Sequence, residues 1–341
     1  MTSLRPLRLV VMGTGPFAVP MFEALVRSHH EILAVVTRPD RAAPGRRPPP
    51  NPMRAAATAA GVPVLDPERI NDDEAIATLA GLAPDLFVVC DYGQILSPRV
   101  LGIPPLGGIN LHGSLLPRHR GAAPIQWAIL AGDPITGVSV IHMTPALDAG
   151  AVIVARAAPI YPGDTAPALE AHLAELGAGA TLEAIERLDA ARAFCRPGQP
   201  LEIGVPQDAA KATRAPRLSK ADGIVDWSQP AARIERMRRA LEPWPRTTAF
   251  LARSGGDPLR LVLEDVVVDP DNAAAGAAPG TILAAGDAGI VVACGGGSAV
   301  IIRRLVPEGR RSMTASEFLR GSPVLPGMRF DAVPRVQSRP S

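Results

Sequence analysis

The chain has 341 residues, 47% apolar and 20% charged, which leaves room for two domains with cores of their own. No uninterrupted apolar run approaches the roughly 18 residues a membrane-spanning helix needs, which argues against a membrane protein. The net charge of +2 hides an asymmetry: residues 1–200 hold 16 Lys+Arg against 18 Asp+Glu (−2), residues 201–341 hold 19 against 15 (+4), so the second half is compatible with a nucleic-acid partner.

Arg8–Met12 reads as a buried strand that follows the N-terminus with no signal-type apolar core, so a cytoplasmic location is expected. Gly13-Thr14-Gly15 and a helical pattern over Phe17–Arg27 come next, an opening shared with dinucleotide binders. The glycine pattern does not complete itself. Pro16 stands at the helix entry, a third glycine is missing, and the strand Glu31–Val36 ends in Thr37-Arg38-Pro39-Asp40 rather than a clean ribose-binding acid, so no NAD is expected. Residues 41–50 form a Pro/Gly/Arg loop in which Arg46 and Arg47 can either grip phosphates or simply be solvated. Asn51-Pro52 caps a helix to Ala60. Val62–Leu65 is a short strand, Asp72–Ala80 a helix, and Asp85–Cys90 a buried strand running into the loop Asp91–Leu96.

The stretch from Gly107 to Gly121 organises the rest. Alternation over Ile109–His112 puts Asn110 and His112 on one face of a strand and Ile109 and Leu111 on the other. Gly113 breaks the strand and Pro117 stiffens the loop after it. Open α/β sheets place their chemistry at such strand ends. Asp148, 36 residues after His112, supplies a carboxylate in a second loop. An amide, an imidazole and a carboxylate suffice to move a proton and hold an oxyanion. On their own Asn110 and His112 are read first as satisfying buried hydrogen bonds at a sheet end, and it is the loop together with Asp148 that turns the reading to chemistry. A helix over Ala123–Ala131, strands over Gly137–Met143 and Ala151–Pro159, and a long helix from Asp164 to Ala190 complete this half. His29, His30, His142 and His172 have no metal-ligand spacing beside a carboxylate, and Cys90, Cys195 and Cys294 are isolated. Neither a metal nor a disulfide is expected, which fits a reducing cytoplasm.

Residues 194–215 read as a Pro/Gly-broken linker between a domain over 1–193 and a second over 216–330, with 331–341 a disordered tail. In the second domain a basic helix over Ala231–Leu241 packs through Ile234, Met237 and Leu241, leaving Arg233, Arg236 and Arg239 mostly elsewhere. Five short β-rich runs between Thr247 and Leu305 suggest a small barrel, and Thr314–Gly321 a capped helix.

These motifs resemble those of the methionyl-tRNA formyltransferases, a branch of the folate-dependent formyltransferases. Asn110-x-His112, Ser114-Leu115-Leu116-Pro117 with Arg118-x-Arg120-Gly121, and Asp148 in Leu-Asp-x-Gly match the catalytic signature. Ser-Lys-x-Asp-Gly at 219–223 and Pro-Trp-Pro at 243–245 match the C-terminal domain, and the likeness runs from about Arg8 to Phe330. It implies an α/β chain: a Rossmann-like domain with a parallel-rich doubly wound sheet, then an OB-like β-barrel. It implies formyl transfer from 10-formyltetrahydrofolate to the amine of initiator methionyl-tRNA, with Asn110, His112 and Asp148 catalytic and Asp148 raising the His112 pKa. Ser114, Leu115, Leu116 and Pro117, with Tyr92, Gly93, Gln94, Ile95 and Leu96, would wall the folate site, largely through backbone groups. The basic loop with Arg46 and Arg47 would meet the acceptor end of the tRNA. Arg233, Arg236, Arg239, Arg303 and Arg304 of the basic second half would hold its backbone. No metal, no membrane and a monomeric chain are expected.

Several positions depart from the family's usual pattern: Asp91 and Gly113, each commonly alanine, His119 for an aromatic, Ala149 for threonine, and Thr144-Pro145-Ala146 for a more acidic, Gly-containing segment. Asn-Leu-His-Gly-Ser-Leu-Leu-Pro also occurs in sugar-nucleotide formyltransferases, so an amino-sugar nucleotide is the alternative acceptor. Gly121–Gln126, Phe17–Pro20 and the appended barrel favour tRNA. A non-catalytic RNA-binding protein on the same scaffold is the other alternative, and the complete Asn110, His112 and Asp148 set speaks against it.

Overall fold

The computed structural model describes residues 5–41, 51–192, 203–253, 256–271, 274 and 276–331. They fall into two compact units. The first comprises residues 1–125, 134–160 and 168–216, and the second 126–133, 161–167 and 217–341. The loop with Arg46 and Arg47, Cys195 and the tail from 332 lie outside the described residues.

In chain order the first part of the sequence forms β1 (Arg8–Met12), α1 (Val19–Val26), β2 (Glu31–Val36), α2 (Pro52–Ala59), β3 (Val64–Leu65), α3 (Asp73–Gly81), β4 (Leu86–Val89) and α4 (Pro98–Leu101). There follow β5 (Gly108–His112), α5 (Pro124–Ala131), β6 (Ile135–His142), β7 (Val152–Pro159) and α6 (Ala166–Arg192). The strands make one seven-stranded sheet in the order β3-β2-β1-β4-β5-β6-β7. The first five run parallel, whereas β6 and β7 are antiparallel to their neighbours. The order reverses between β1 and β4, and ligands of doubly wound sheets bind beyond the strand ends at such a switch point. The strands are close there: a Cβ on Gly13 would lie 2.8 Å from the Cys90 carbonyl oxygen.

Local chemistry explains several boundaries. Asn51 accepts the Arg54 N–H as N-cap of α2, with Pro52 at the first helical position. Ser97 and Pro98 start α4 in the same way. On β5, Ile109 and Leu111 are buried. Leu111 packs where α6 lacks a side chain, for a Cβ on Gly177 would approach Leu111 Cδ2 to 2.7 Å. The opposite face of β5 is thereby left to Asn110 and His112.

The second unit adds α7 (Ala231–Ala240), β8 (Thr247–Leu251), β9 (Leu259–Val268), β10 (Ile282–Gly286), β11 (Gly289–Ala293), β12 (Ala299–Pro307), β13 (Met313–Thr314), α8 (Ala315–Gly321) and β14 (Phe330–Asp331). Its sheet is antiparallel, ordered β10-β11-β12-β9-β8-β14, with β13 on β12. The two ends of that order meet: Ile282 N–H donates to the Met328 carbonyl and Phe330 N–H to that of Gly280. The sheet therefore closes into the small barrel expected, around Trp227, Ile234, Leu263, Val292, Ile302, Phe318 and Phe330. A capping box between Thr314 and Glu317 opens α8.

Candidate active site

Asn110 and His112 lie at the C-terminal end of β5, where His112 pairs with Ser139 of β6. Asn110 is half-buried, and its side chain makes no hydrogen bond among the described residues. His112 is only 5% exposed. Its Nε2 is 2.9 Å from the His119 carbonyl oxygen, and its Nδ1 3.7 Å from Asp148 Oδ2. The three candidate catalytic residues thus come to one strand end, although β5 and the Asp148 loop are far apart in sequence. A carbonyl only accepts, so Nε2 carries a proton and the neutral ring turns a lone pair on Nδ1 towards the carboxylate. Asp148 pulls the His112 pKa upward as expected, yet the net shift is downward. Burial pushes it below the ordinary histidine value, and this outweighs the upward pull of Asp148 and of the His119 carbonyl.

The loop from Gly113 to Gly121 is held by its own polar groups. Ser114 Oγ donates to the Arg118 carbonyl at 2.7 Å. Ser139 Oγ donates to the Ser114 carbonyl and accepts the Leu116 N–H. The Ser114 hydroxyl, a candidate folate contact, is therefore spent on the loop itself. Gln94 is committed in the same way, receiving the Ile70 N–H and donating to the Pro67 carbonyl. Tyr92 and Leu96 sit in the buried core around Phe87. Of the other residues expected there, Gly93 and Ile95 are exposed, and Leu115, Leu116 and Pro117 are half-buried.

The larger surprise is the segment expected to be a plain linker. From Ile203 to Pro216 it belongs to the first unit. Val205 exchanges two backbone hydrogen bonds with Val152. Arg120 N–H donates to the Thr213 carbonyl, Ala215 N–H returns to the Arg120 carbonyl, and His119 N–H donates to Thr213 Oγ1 at 2.8 Å. Gly121 has φ +130°, and a Cβ there would lie 2.3 Å from the Ala215 carbonyl oxygen. Gly121 N–H donates to Asp148 Oδ2 at 2.9 Å, so the strapped loop also fixes the carboxylate. Gln207, which no sequence motif singles out, joins the site here: its Nε2 donates to the carbonyls of Asp148 (2.8 Å) and Gly150 (2.7 Å).

The arginines proposed for tRNA divide. In the second unit Arg239 is 8% exposed, forks onto Glu235 and donates to the Asp164 carbonyl. Arg233 donates to the Leu130 carbonyl, and burial lowers its pKa. Arg236 lies against Gly132. The helix face expected to be free is thus covered by the segments 126–133 and 161–167, which removes Arg239 from any phosphate-facing surface. Arg303 and Arg304 on β12 are exposed.

The formyl transferase family profile matches residues 7–185, and the profile for the formyl transferase C-terminal domain matches residues 217–323. The methionyl-tRNA formyltransferase of Rhodopirellula baltica is 44% identical over 96% of this chain and 97% of its own. That of Desulfotalea psychrophila is 40% identical over 94% of each. In fold alone the chain is similar to HypX of Aquifex aeolicus (TM-score 0.58, 17% identity, 92% of this chain, 49% of that one). It is likewise similar to an N-formyltransferase of Helicobacter canadensis (TM-score 0.59, 15% identity, 87% and 98%). With likeness at this level along nearly its whole length, in both the sheet that carries Asn110 and the barrel that follows, the chain belongs to the methionyl-tRNA formyltransferase family.

Proposed function

We propose that this chain transfers a formyl group from 10-formyltetrahydrofolate to the α-amine of methionyl-tRNA, with Asn110, His112 and Asp148 as its catalytic residues. When bound, the folate supplies an electrophilic formyl carbon. The reference pKa of an α-amine is about 7.7–8.0, and the ester neighbour lowers it, so no strong base is needed to create the nucleophile. Two tasks remain for the protein. Asn110 has an unspent amide, suited to donate to the formyl oxygen as that atom gains charge. His112, neutral and with Nδ1 facing Asp148, can accept the proton lost by the attacking nitrogen and return it to the nitrogen that leaves. Asp148 stabilises the imidazolium in between.

The observation that carries this reading is the meeting of Asn110, His112 and Asp148 at one strand end of a single chain. Because all three come from one chain, a monomer is the acting unit in this reading. A cytoplasmic location follows from the translation role, and among the described residues no helix is long and apolar enough to cross a membrane. Binding of tRNA would draw on exposed arginines such as Arg303 and Arg304, with Arg46 and Arg47 in the loop outside the described residues. An acceptor assay with 10-formyltetrahydrofolate tests the function, comparing methionyl-tRNA with 4-amino-sugar nucleotides. Formylation of the sugar nucleotide alone would transfer the chain's activity to the other acceptor, and formylation of neither would leave only a binding role.

A further inference from the structure

We infer that Gln207 is a positioning residue that holds Asp148 in its working place, an inference that rests on the catalytic reading of Asp148 above. Asp148 has φ +51°, a left-handed backbone state that is uncommon outside glycine and that Asp tolerates when local hydrogen bonds support it. Its loop cannot relax towards β6, because Gly150 already crowds it: a Cβ there would lie 1.8 Å from the His142 carbonyl oxygen. A loop in this condition needs support from outside, and Gln207 supplies it. The amide Nε2 has two hydrogens, and both are used, on Asp148 O at 2.8 Å and on Gly150 O at 2.7 Å. The amide Oε1 has two lone pairs, and both are used, by Arg120 Nε at 3.0 Å and by the Arg120 terminal nitrogen at 2.6 Å.

The Arg120 fork fixes which way round the amide stands. An arginine can only donate, so Oε1 must face it and the NH₂ group must face the two carbonyls. Arg120 is itself fastened through its main chain to Thr213 and Ala215. One side chain thus joins three segments: the Asp148 loop, the loop that follows β5, and the strap that leads on to the second unit. The Asp148 side chain is tied to the same frame by the Gly121 N–H. Backbone and carboxylate are both located, and the 3.7 Å approach of Oδ2 to His112 Nδ1 is a consequence of that location.

Gln207→Glu isolates the role for a specific reason. It keeps an acceptor for Arg120, and so keeps the strap fastened, but offers no hydrogen to either carbonyl. In the full-length enzyme Gln207→Glu and Gln207→Leu should each lower kcat on the order of 10- to 100-fold, as a misplacement of about 1 Å does. KM for methionyl-tRNA and for the folate should stay near the parent values, with kcat compared well below the melting temperature of each variant, because Gln207→Glu also turns a carboxylate oxygen towards the two carbonyls it leaves without a donor. Because Gln207 acts through Asp148, adding Gln207→Glu to Asp148→Asn should cost little beyond Asp148→Asn alone. Parental kcat in Gln207→Glu, with Asp148→Asn impaired, would overturn the inference and leave the catalytic reading standing. The inference falls equally if the two losses simply multiply, or if Gln207→Leu lowers only the melting temperature. Parental kcat in Asp148→Asn would instead overturn the catalytic reading itself.

Discussion

His112 and Asp148 face each other across 3.7 Å, Nδ1 to Oδ2, close enough for charge to be felt and too far for a direct hydrogen bond. Burial nevertheless decides the state of the ring, holding its pKa below the ordinary value of 6.5. Proton-detected or carbon-labelled NMR of the histidines should therefore show His112 titrating with a midpoint below 6.5. Asp148→Asn should move the midpoint lower still, since the carboxylate is one of the groups pulling it up. A midpoint above 6.5, or an upward move in Asp148→Asn, would contradict this account.

The same shift has a consequence for stability. The folded-state pKa lies below the unfolded-state value, so on acidification the unfolded chain binds its proton first. This contribution is fully present above the unfolded-state value and is lost as pH falls from there through the folded-state value. His112→Gln removes the titrating group. Denaturant unfolding at pH about 7.5 and about 5.5 should show the parent losing more stability than His112→Gln over that interval.

Asn110 is half-buried, and its side chain makes no hydrogen bond among the described residues, whereas its main chain is held in the sheet. Asn110→Ala should leave the melting temperature nearly unchanged and reduce kcat by about 10²–10³, the usual cost of losing one oxyanion donor. KM values should change far less. A large fall in melting temperature with kcat preserved would make Asn110 a structural residue instead.

Much of this site is legible in the sequence because its signals are local. Strand alternation alone puts Asn110 and His112 on one face, and β1 and β2 have the residues expected of them. The parts that escape depend on distant partners. Nothing in the periodicity of residues 203–216 announces that Thr213 and Ala215 pair with Arg120, or that Gln207 reaches Asp148. The charge state of His112 escapes for a different reason: sequence shows a carboxylate neighbour, but only the folded chain shows how completely the ring is buried. Arg239 differs from expectation because a helical wheel assigns one packed face, whereas α7 is covered on a second side by the Asp164 segment.

Two glycines of the site should respond oppositely to alanine. At Gly121 the φ of +130° and the Ala215 carbonyl 2.3 Å from the new Cβ are both backbone obstacles. Gly121→Ala should cost on the order of 2 kcal/mol or more and lower kcat as the strap shifts. At Gly113 the nearest atoms are side-chain ends, Ile125 Cγ1 at 3.2 Å and Phe17 Cζ at 3.4 Å, which can give way. Gly113→Ala should stay within about 0.5 kcal/mol of the parent. Thermal or denaturant unfolding of the two variants side by side checks the contrast, and equal losses would mean that the strap does not depend on Gly121.

The arginines of the second unit allow stability and RNA binding to be separated. Arg239 is fastened to Glu235 by Nε at 2.6 Å and to the Asp164 carbonyl at 2.9 Å, so Arg239→Ala leaves a half-buried carboxylate and a carbonyl without their donor. Its main effect should be a stability loss of about 2 kcal/mol, with tRNA affinity altered little once the protein is folded. Arg303 is exposed, and exposed Arg304 reaches Ser312 Oγ only at 3.5 Å. Removing both should leave unfolding nearly unchanged while weakening tRNA binding. If each meets a phosphate, the slope of log affinity against log salt should become shallower by about 1 per arginine. Filter binding across a salt series measures both quantities at once. An unchanged slope in the Arg303→Ala, Arg304→Ala double variant would move the phosphate track elsewhere on the chain, with the exposed Arg310 and Arg311 next to be tested.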